Sequence, residues 1–490
     1  MMRPSTRVLA VLTVLALCAC AVGPNYKPPA APPGAGFVPP GALPSTTVSA
    51  PLPGGEAQRF VDGLDIPGQW WTLFRSPELN ALIERGIAHN PTLEAAQAAL
   101  REANENVAAE RGSYYPSVSG SYQVERQKAS AFPAAGSYLY TLNSASVNVS
   151  YTLDAFGGVR RQVEGLQAEA DYERFALEAA YLSLTANIVT AAVNEASLRA
   201  QLAATEEIAR AEQTQLDITQ RRVTAGGAAR ADVLQQQATL QGTLASLPSL
   251  RSQLAQQRNQ LAAYVGVLPA DYDGAQISLD SLALPVELPV SLPSKLVEQR
   301  PDIQEYSALL HQATAQVGVA TANMLPQITL SGSYGAGASH LSDLFSPASA
   351  VWSAVAGVTQ PLFKGGQLKH RRRSAIAAAR QAAANYRSTV ITAFQNVSNT
   401  LYALQSDAQA LAAQTAAERS AAESLSLVQA QFKSGGASYL QVLTAEQTYQ
   451  NAAVALVKAR AQRYADTAAL FQALGGGWWN RTDLATNSSD

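Results

Sequence analysis

The stretch SVNVSYTLD, Ser146 to Asp154, decides the fold. Val147, Val149, Tyr151 and Leu153 fall on one side of an extended chain; Ser146, Asn148, Ser150, Thr152 and Asp154 fall on the other. Successive side chains of a strand point to opposite faces, so the segment carries one apolar and one small polar face. The period recurs. Val118, Gly120, Tyr122 and Val124 alternate with Ser117, Ser119, Ser121 and Gln123, and Ile328, Leu330, Gly332 and Tyr334 alternate with Gln327, Thr329, Ser331 and Ser333. A looser fourth strand near Val351 to Gln360 sets Trp352, Ala354, Ala356 and Val358 on one face. A transmembrane barrel around a wet lumen has this period, and so does a half-buried soluble sheet.

The N-terminus decides between them. Arg3 and Arg7 precede a 12-residue apolar run, Val8 to Ala19. That run suits a signal-peptide core and is too short for a membrane helix. Leu17-Cys18-Ala19-Cys20 then reads as a lipobox, with Leu at −3, small Ala at −1 and Cys20 as the first mature residue, lipidated on its sulfur and amine. Cys18 leaves with the signal. Ala21 follows, and no Asp stands there to argue for inner-membrane retention. Cys18 and Cys20 are the chain's two cysteines, so the mature protein has neither a disulfide nor a thiol-based metal site.

Composition narrows the class further. Thirty-five basic and 37 acidic residues give a net charge of −2, which offers nothing to a nucleic acid. No apolar run after Ala19 reads as a membrane helix, so a membrane span has to be made of strands. Ten of the 25 prolines lie between Pro24 and Pro53, the composition of an extended surface strap. None lies between Pro133 and Pro248, and none after Pro361. Both windows are rich in Ala, Gln, Glu, Leu and Arg and read as helix. A helix from about Val159 to Val223 would be on the order of 95–100 Å long, and Arg371 to Phe432 similar, lengths that imply a coiled coil or helical tube.

The chain also repeats itself. Pro91 and Pro116 match Pro301 and Pro326; between them Ala98, Leu100, Ala103 and Val107 match Ala308, Leu310, Ala313 and Val317. Phe156-Gly157-Gly158 corresponds to Phe363-Lys364-Gly365-Gly366, and TAGGAARADVL (Thr224–Leu234) to KSGGASYLQVL (Lys433–Leu443). Each half reads helix, strand, strand, long helix, glycine turn, helix: one duplicated unit. Four strands cannot close a barrel, and an open edge in hydrocarbon costs several kcal/mol per unsatisfied group. The chain is therefore expected to oligomerise.

These features resemble the outer membrane factors of the TolC family, in their lipoprotein (NodT-type) branch. The resemblance rests on CAVGPNYKPP after the lipobox, WWTLF (Trp70–Phe74), LNALIERGIAHNPTLEAA (Leu79–Ala96), the paired repeats and ALGGGWW (Ala473–Trp479). It implies an α+β membrane protein. Three copies, four strands each, would form a 12-stranded outer-membrane β-barrel continuous with a long periplasmic α-helical coiled-coil barrel. On this reading residues 1–19 are the signal, 20–65 the lipidated strap, 66–265 the first repeat, 266–300 an equatorial linker, 301–474 the second repeat and 475–490 a tail. The implied partners are further copies of itself, a periplasmic membrane-fusion adaptor, an inner-membrane RND-type pump and outer-membrane lipid. The duct would pass small toxic compounds outward. A protein-secretion duct and a non-pore structural lipoprotein are the alternatives.

Gly226, Gly227, Gly435 and Gly436 are expected to form the periplasmic tip that meets the adaptor. The resemblance puts the gate just past them, with Arg230, Asp232 and Gln235 in the first repeat and Leu440, Gln441, Leu443 and Thr444 in the second. Some relatives carry paired aspartates at the second-repeat positions; Gln441 and Thr444 make this gate less acidic. The basic run Lys369-His370-Arg371-Arg372-Arg373 reads as a solvated helix start. His89, His311, His340 and His370 lack metal-ligand spacing, and no catalytic or phosphate-binding motif appears, so neither enzyme activity, metal nor cofactor is expected.

Overall fold

The computed structural model describes residues 21–31, 36–130, 137–274 and 276–481. The expected signal peptide, the lipidation candidate Cys20 and the end of the C-terminal tail lie outside the described residues. In chain order the elements are β1 (Arg59–Asp62), a 3-10 turn at Trp70–Phe74, α1 (Pro77–His89), α2 (Pro91–Arg111), β2 (Ser117–Ser130), β3 (Ser137–Leu153), α3 (Gly158–Thr224) and α4 (Arg230–Tyr264). There follow β4 (Glu287–Val290), α5 (Pro293–Gln299), α6 (Pro301–Ala322), β5 (Gln327–Ala338), β6 (Ala350–Thr359), α7 (Gln367–Lys433) and α8 (Tyr439–Ala473). Helices α3 and α7 each have 67 residues, and α4 and α8 each have 35. Pro248 sits inside α4 without ending it.

The chain divides into two compact units. Of the described residues the first comprises 21–29, 99–130, 137–174 and 305–387. Its sheet is antiparallel in the order β2-β3-β5-β6. Register carries the sequence alternation across all four strands. Val118 opposes Val149, Val147 opposes Tyr334 and Tyr334 opposes Trp352, an apolar row. On the other face Ser119 opposes Asn148, Asn148 opposes Ser333 and Ser333 opposes Ser353. Hydroxyls link strands on this face: Ser121 to Ser146 at 3.0 Å and Ser333 to Ser353 at 2.8 Å. Beside the sheet, Ala103 and Val107 of α2 pack on Ala170 and Leu166 of α3. On α6, His311 Nε2 meets Glu164 Oε1 of α3 at 3.0 Å.

Residues 21–26 are clamped to this unit. Val22 donates its N–H to the Phe156 carbonyl at 3.0 Å. The Arg161 guanidinium donates to the Val22 carbonyl (3.1 Å), to Asn25 Oδ1 (2.6 Å) and to Glu164 Oε2 (2.7 Å). Tyr26 stacks on His311, with ring centroids 4.3 Å apart. Two glycines permit the approach: a Cβ on Gly157 would lie 2.5 Å from Ala21 Cα, and one on Gly23 2.5 Å from Gly318 Cα.

The second unit comprises residues 30–98, 175–304 and 388–490. Trp70, Trp71 and Phe74 are buried at its centre, with the Trp70 ring stacked on Phe471 at 5.3 Å. Strands β1 and β4 pair in parallel, Phe60 opposite Leu288. The proline-rich segment from Pro24 to Pro53 is extended and largely exposed, as its composition predicts, with Thr47 and Ala50 buried near its end. Thr47 and Gln58 are buried beside Arg463 of α8, whose guanidinium donates to Thr47 Oγ1 at 3.1 Å and Gln58 Oε1 at 3.4 Å. A buried cation needs acceptors; Thr47, Gln58 and the Glu56 carbonyl serve Nε and Nη2, while Nη1 has none among the described residues. Helix α3 corrects the expectation that no apolar run after Ala19 reads as a membrane helix. It is long and apolar enough to cross a membrane by composition. Ile188, Val189 and Val193 there are fully buried in this unit, so the apolar run is helix packing.

Candidate functional site

Two sites emerge: the sheet and the paired glycine turns. In the sheet, β2 and β6 have no strand partner on their outer sides among the described residues. The apolar row is bare: Val118 is 67% exposed, Tyr334 66% and Trp352 76%. A soluble sheet would cover such a row with helices. The opposite face is not uniformly polar, because Val351 and Val355 of β6 lie on it.

The two turns have the same construction. Thr224 ends α3 and Lys433 ends α7. Gly226 (φ +78°) and Gly435 (φ +82°) take the left-handed conformation. The next residue closes each helix end: Gly227 N–H to Arg222 carbonyl at 2.7 Å, and Gly436 N–H to Gln431 carbonyl at 2.8 Å. This is the Schellman pattern, which needs glycine or little else at the left-handed position. The returning helices are capped alike. The Ala229 N–H donates to Asp232 Oδ2 at 3.2 Å, and the Ser438 N–H donates to Gln441 Oε1 at 2.6 Å. Asp232 and Gln441 thus occupy the same place, 209 residues apart, and each spends its side chain on a helix start.

Tertiary contacts join the two turns. The Arg222 guanidinium lies 4.5 Å from the Phe432 ring centroid, and Phe432 sits 5.7 Å from Tyr439. The Tyr439 hydroxyl donates to Gln236 Oε1, and Gln236 Nε2 donates to the Glu212 carbonyl at 3.1 Å. Deeper along the helices, Glu212 Oε1 accepts from Thr243 Oγ1 at 3.0 Å and from the Gln450 amide. A cavity of about 150 Å³ lies here, lined by Glu212, Glu446, Leu425, Gln429 and Tyr449 among others. Glu212 and Glu446 are both buried, and the Oε2 atom of each lacks a hydrogen-bond partner. Burial first, and the Glu212 charge second, push the Glu446 carboxyl up to about 7.

Of the residues singled out in sequence, Gly226, Gly227, Gly435 and Gly436 are exposed in these turns. Arg230, Gln235, Gln441 and Thr444 are exposed, Asp232 is half-buried, and Leu440 is 70% exposed. Leu443 is 8% exposed, the place of a packing residue. Sequence reading missed Tyr439, Gln236, Glu212 and Glu446. A Tyr and a Glu within an apolar helix face carried a signal at 439 and 446; Gln236 carried none.

An unpartnered four-stranded sheet with a bare apolar face, followed by paired long helices, defines an outer-membrane channel protein. The chain belongs to the outer membrane efflux protein family, whose model matches residues 82–267 and 292–476. It is similar to the probable efflux pump outer membrane protein TtgC of Pseudomonas putida, 29% identical over 98% of this chain and 97% of that protein. It is also similar to the pyoverdine export outer membrane protein OpmQ of Pseudomonas aeruginosa, 30% identical over 85% of this chain and 89% of that protein. Among solved structures, the outer-membrane channel OprN superposes with a TM-score of 0.84 at 26% identity, covering 94% of this chain and all of that one. The open state of the Neisseria gonorrhoeae MtrE outer membrane channel gives 0.81 at 26%, with the same coverage. The chain is thus an efflux channel of the outer membrane, in a family of channels rather than enzymes.

Proposed function

We propose that three copies of the chain close a 12-stranded barrel, with their helices forming an α-helical barrel in the periplasm. The observation that carries this reading is the sheet with two open edges and an apolar face that runs from Val118 to Val124 on β2, Ala145 to Leu153 on β3, Ile328 to Tyr334 on β5 and Trp352 to Val358 on β6. Hydrocarbon tolerates that face and not those edges, so β6 of one copy pairs with β2 of the next. Equal helix lengths and twin turn geometry support an internal duplication over 66–265 and 301–474, joined by a linker at 266–300. The lipid on Cys20 then anchors the strap.

In this assembly the glycine turns at Gly226-Gly227 and Gly435-Gly436 are the periplasmic tip and the docking point for a membrane-fusion adaptor. Leu440 faces the gate with Arg230, Gln235 and Thr444. Asp232 and Gln441 hold the helix starts beside it, and Leu443 packs behind. An inner-membrane pump of the RND type supplies the duct with small toxic compounds; the similarity to TtgC favours that cargo class. The test is complementation. A Gram-negative strain lacking its efflux outer-membrane channel regains drug resistance when this chain is produced with its cognate pump and adaptor. A Cys20→Ser variant loses the acyl mass. No gain of resistance, with the chain present in the outer membrane, overturns the efflux reading.

A further inference from the structure

The two strand-to-helix junctions of the first unit differ in charge. At the β3–α3 junction the cations are matched. Arg160 lies 3.5 Å from Asp154, Arg161 lies 2.7 Å from Glu164, and the strap residues Ala21 to Asn25 cover the site. At the β6–α7 junction nothing matches them. From Leu344 to Ser406 the sequence has no Asp or Glu, whereas Lys364, Lys369, Arg371, Arg372, Arg373, Arg380 and Arg387 fall within it. In the single chain all seven are exposed, and among the described residues none forms an ion pair. Just before them stand Leu362, 93% exposed, and Phe363, 89% exposed. On a chain of net charge −2 this is a concentrated cationic surface with an apolar lip.

We propose that the β6–α7 junction binds anionic glycerophospholipid, its cations holding the headgroup phosphates and Leu362 and Phe363 entering the acyl boundary. The inference rests on the barrel reading above, which makes each strand-to-helix junction the level where the chain leaves the membrane. The strap fixes that level independently. Val22, two residues after the acylated position, is hydrogen-bonded to Phe156 at the first junction, so the lipid of Cys20 enters the bilayer there. Clusters of Lys and Arg at the edge of a membrane segment attract anionic lipid, and apolar side chains at the same depth anchor it. A zwitterionic headgroup offers the same phosphate without the net charge, so the surface discriminates by charge.

The test is native mass spectrometry of the full-length lipidated protein, exchanged into detergent with equal phosphatidylglycerol and phosphatidylethanolamine. The wild type retains phosphatidylglycerol in preference. The variant with Lys369→Gln, Arg371→Gln, Arg372→Gln and Arg373→Gln loses that preference by about tenfold or more, while Arg210→Gln with Arg221→Gln, far along α3, keeps it. An unchanged preference in the fourfold variant overturns the proposal, as does a wild type without preference. Dissociation of the fourfold variant into monomers with its preference intact also overturns it, and assigns the cations to a second copy of the chain. A wild-type monomer that still selects phosphatidylglycerol overturns the trimeric barrel and leaves the lipid site standing.

Discussion

Tyr439, at the start of α8, donates its hydroxyl proton to Gln236 of α4, a bond that, with the Arg222–Phe432 contact, joins the two glycine turns. The remaining amide of Gln236 reaches the Glu212 carbonyl of α3, so three helices meet at one buried glutamine.

Removing the hydroxyl with Tyr439→Phe leaves a buried amide oxygen unpaired. Such an orphan costs about 1–3 kcal/mol. The loss is local, because the Trp70 core is untouched. Hydrogen exchange in peptides covering 222–240 and 430–446 should speed up by roughly tenfold or more, with the melting temperature of the remainder unchanged.

Acidification should tighten this region. The Glu446 carboxyl is raised to about 7 from an ordinary value near 4.5, by burial and then by Glu212. The folded state therefore binds more protons than the unfolded state between those values, and stability falls as pH rises through about 7. Glu207 and Glu212 of α3 face the same cavity, and no Lys or Arg lines it. Amide protection over 440–455 should drop between pH 5.5 and 8, and Glu446→Gln should flatten that profile. A local readout is needed because Asp407, raised to about 8 by burial and by Asp466, titrates in the same direction elsewhere.

The strap should come loose at one side chain. Arg161 is 3% exposed and donates to Val22, Asn25 and Glu164. Arg161→Ala removes these bonds, and exchange over residues 21–31 should rise at least about tenfold. Gly157→Val should act likewise by a different cause, because its Cβ would meet Ala21 and its φ of +73° disfavours a β-branched residue.

Trp70→Ala should destabilise the second unit by about 3–5 kcal/mol, the cost of emptying a packed aromatic site. Trp70 is 1% exposed and stacked on Phe471. Thermal unfolding followed by tryptophan fluorescence measures this.

The strands and the turns were legible in sequence because their causes are local. Alternation around Ser146–Asp154 fixes which face is apolar, and β6 carries Trp352, Ala354, Ala356 and Val358 in the row that the alternation gave. Glycine at 226 and 435 marks a left-handed residue, and both are left-handed. Long-range partners were not legible. Nothing near Gln236 announces Tyr439, 203 residues away. The proline-rich segment is mostly exposed, as composition reads it, but nothing in it announces that Arg463, some 400 residues downstream, binds Thr47 and, just beyond the segment, Gln58. Leu440 and Leu443 look alike in sequence, and only the helix phase separates an exposed side chain from a buried one.

The central claim is that β2 and β6 find each other in different copies of the chain. Cysteine pairs test it directly, since the chain has no cysteine beyond Cys18 and Cys20. One cysteine is placed on β2 between Val118 and Val124 and one on β6 between Val351 and Val358, then oxidised in outer membranes. Within one copy β3 and β5 separate these strands, so a bond between them must join two chains. The account predicts covalent dimers and trimers for pairs in register, and nothing larger than a trimer. Monomers at every register, or ladders beyond three, would contradict it.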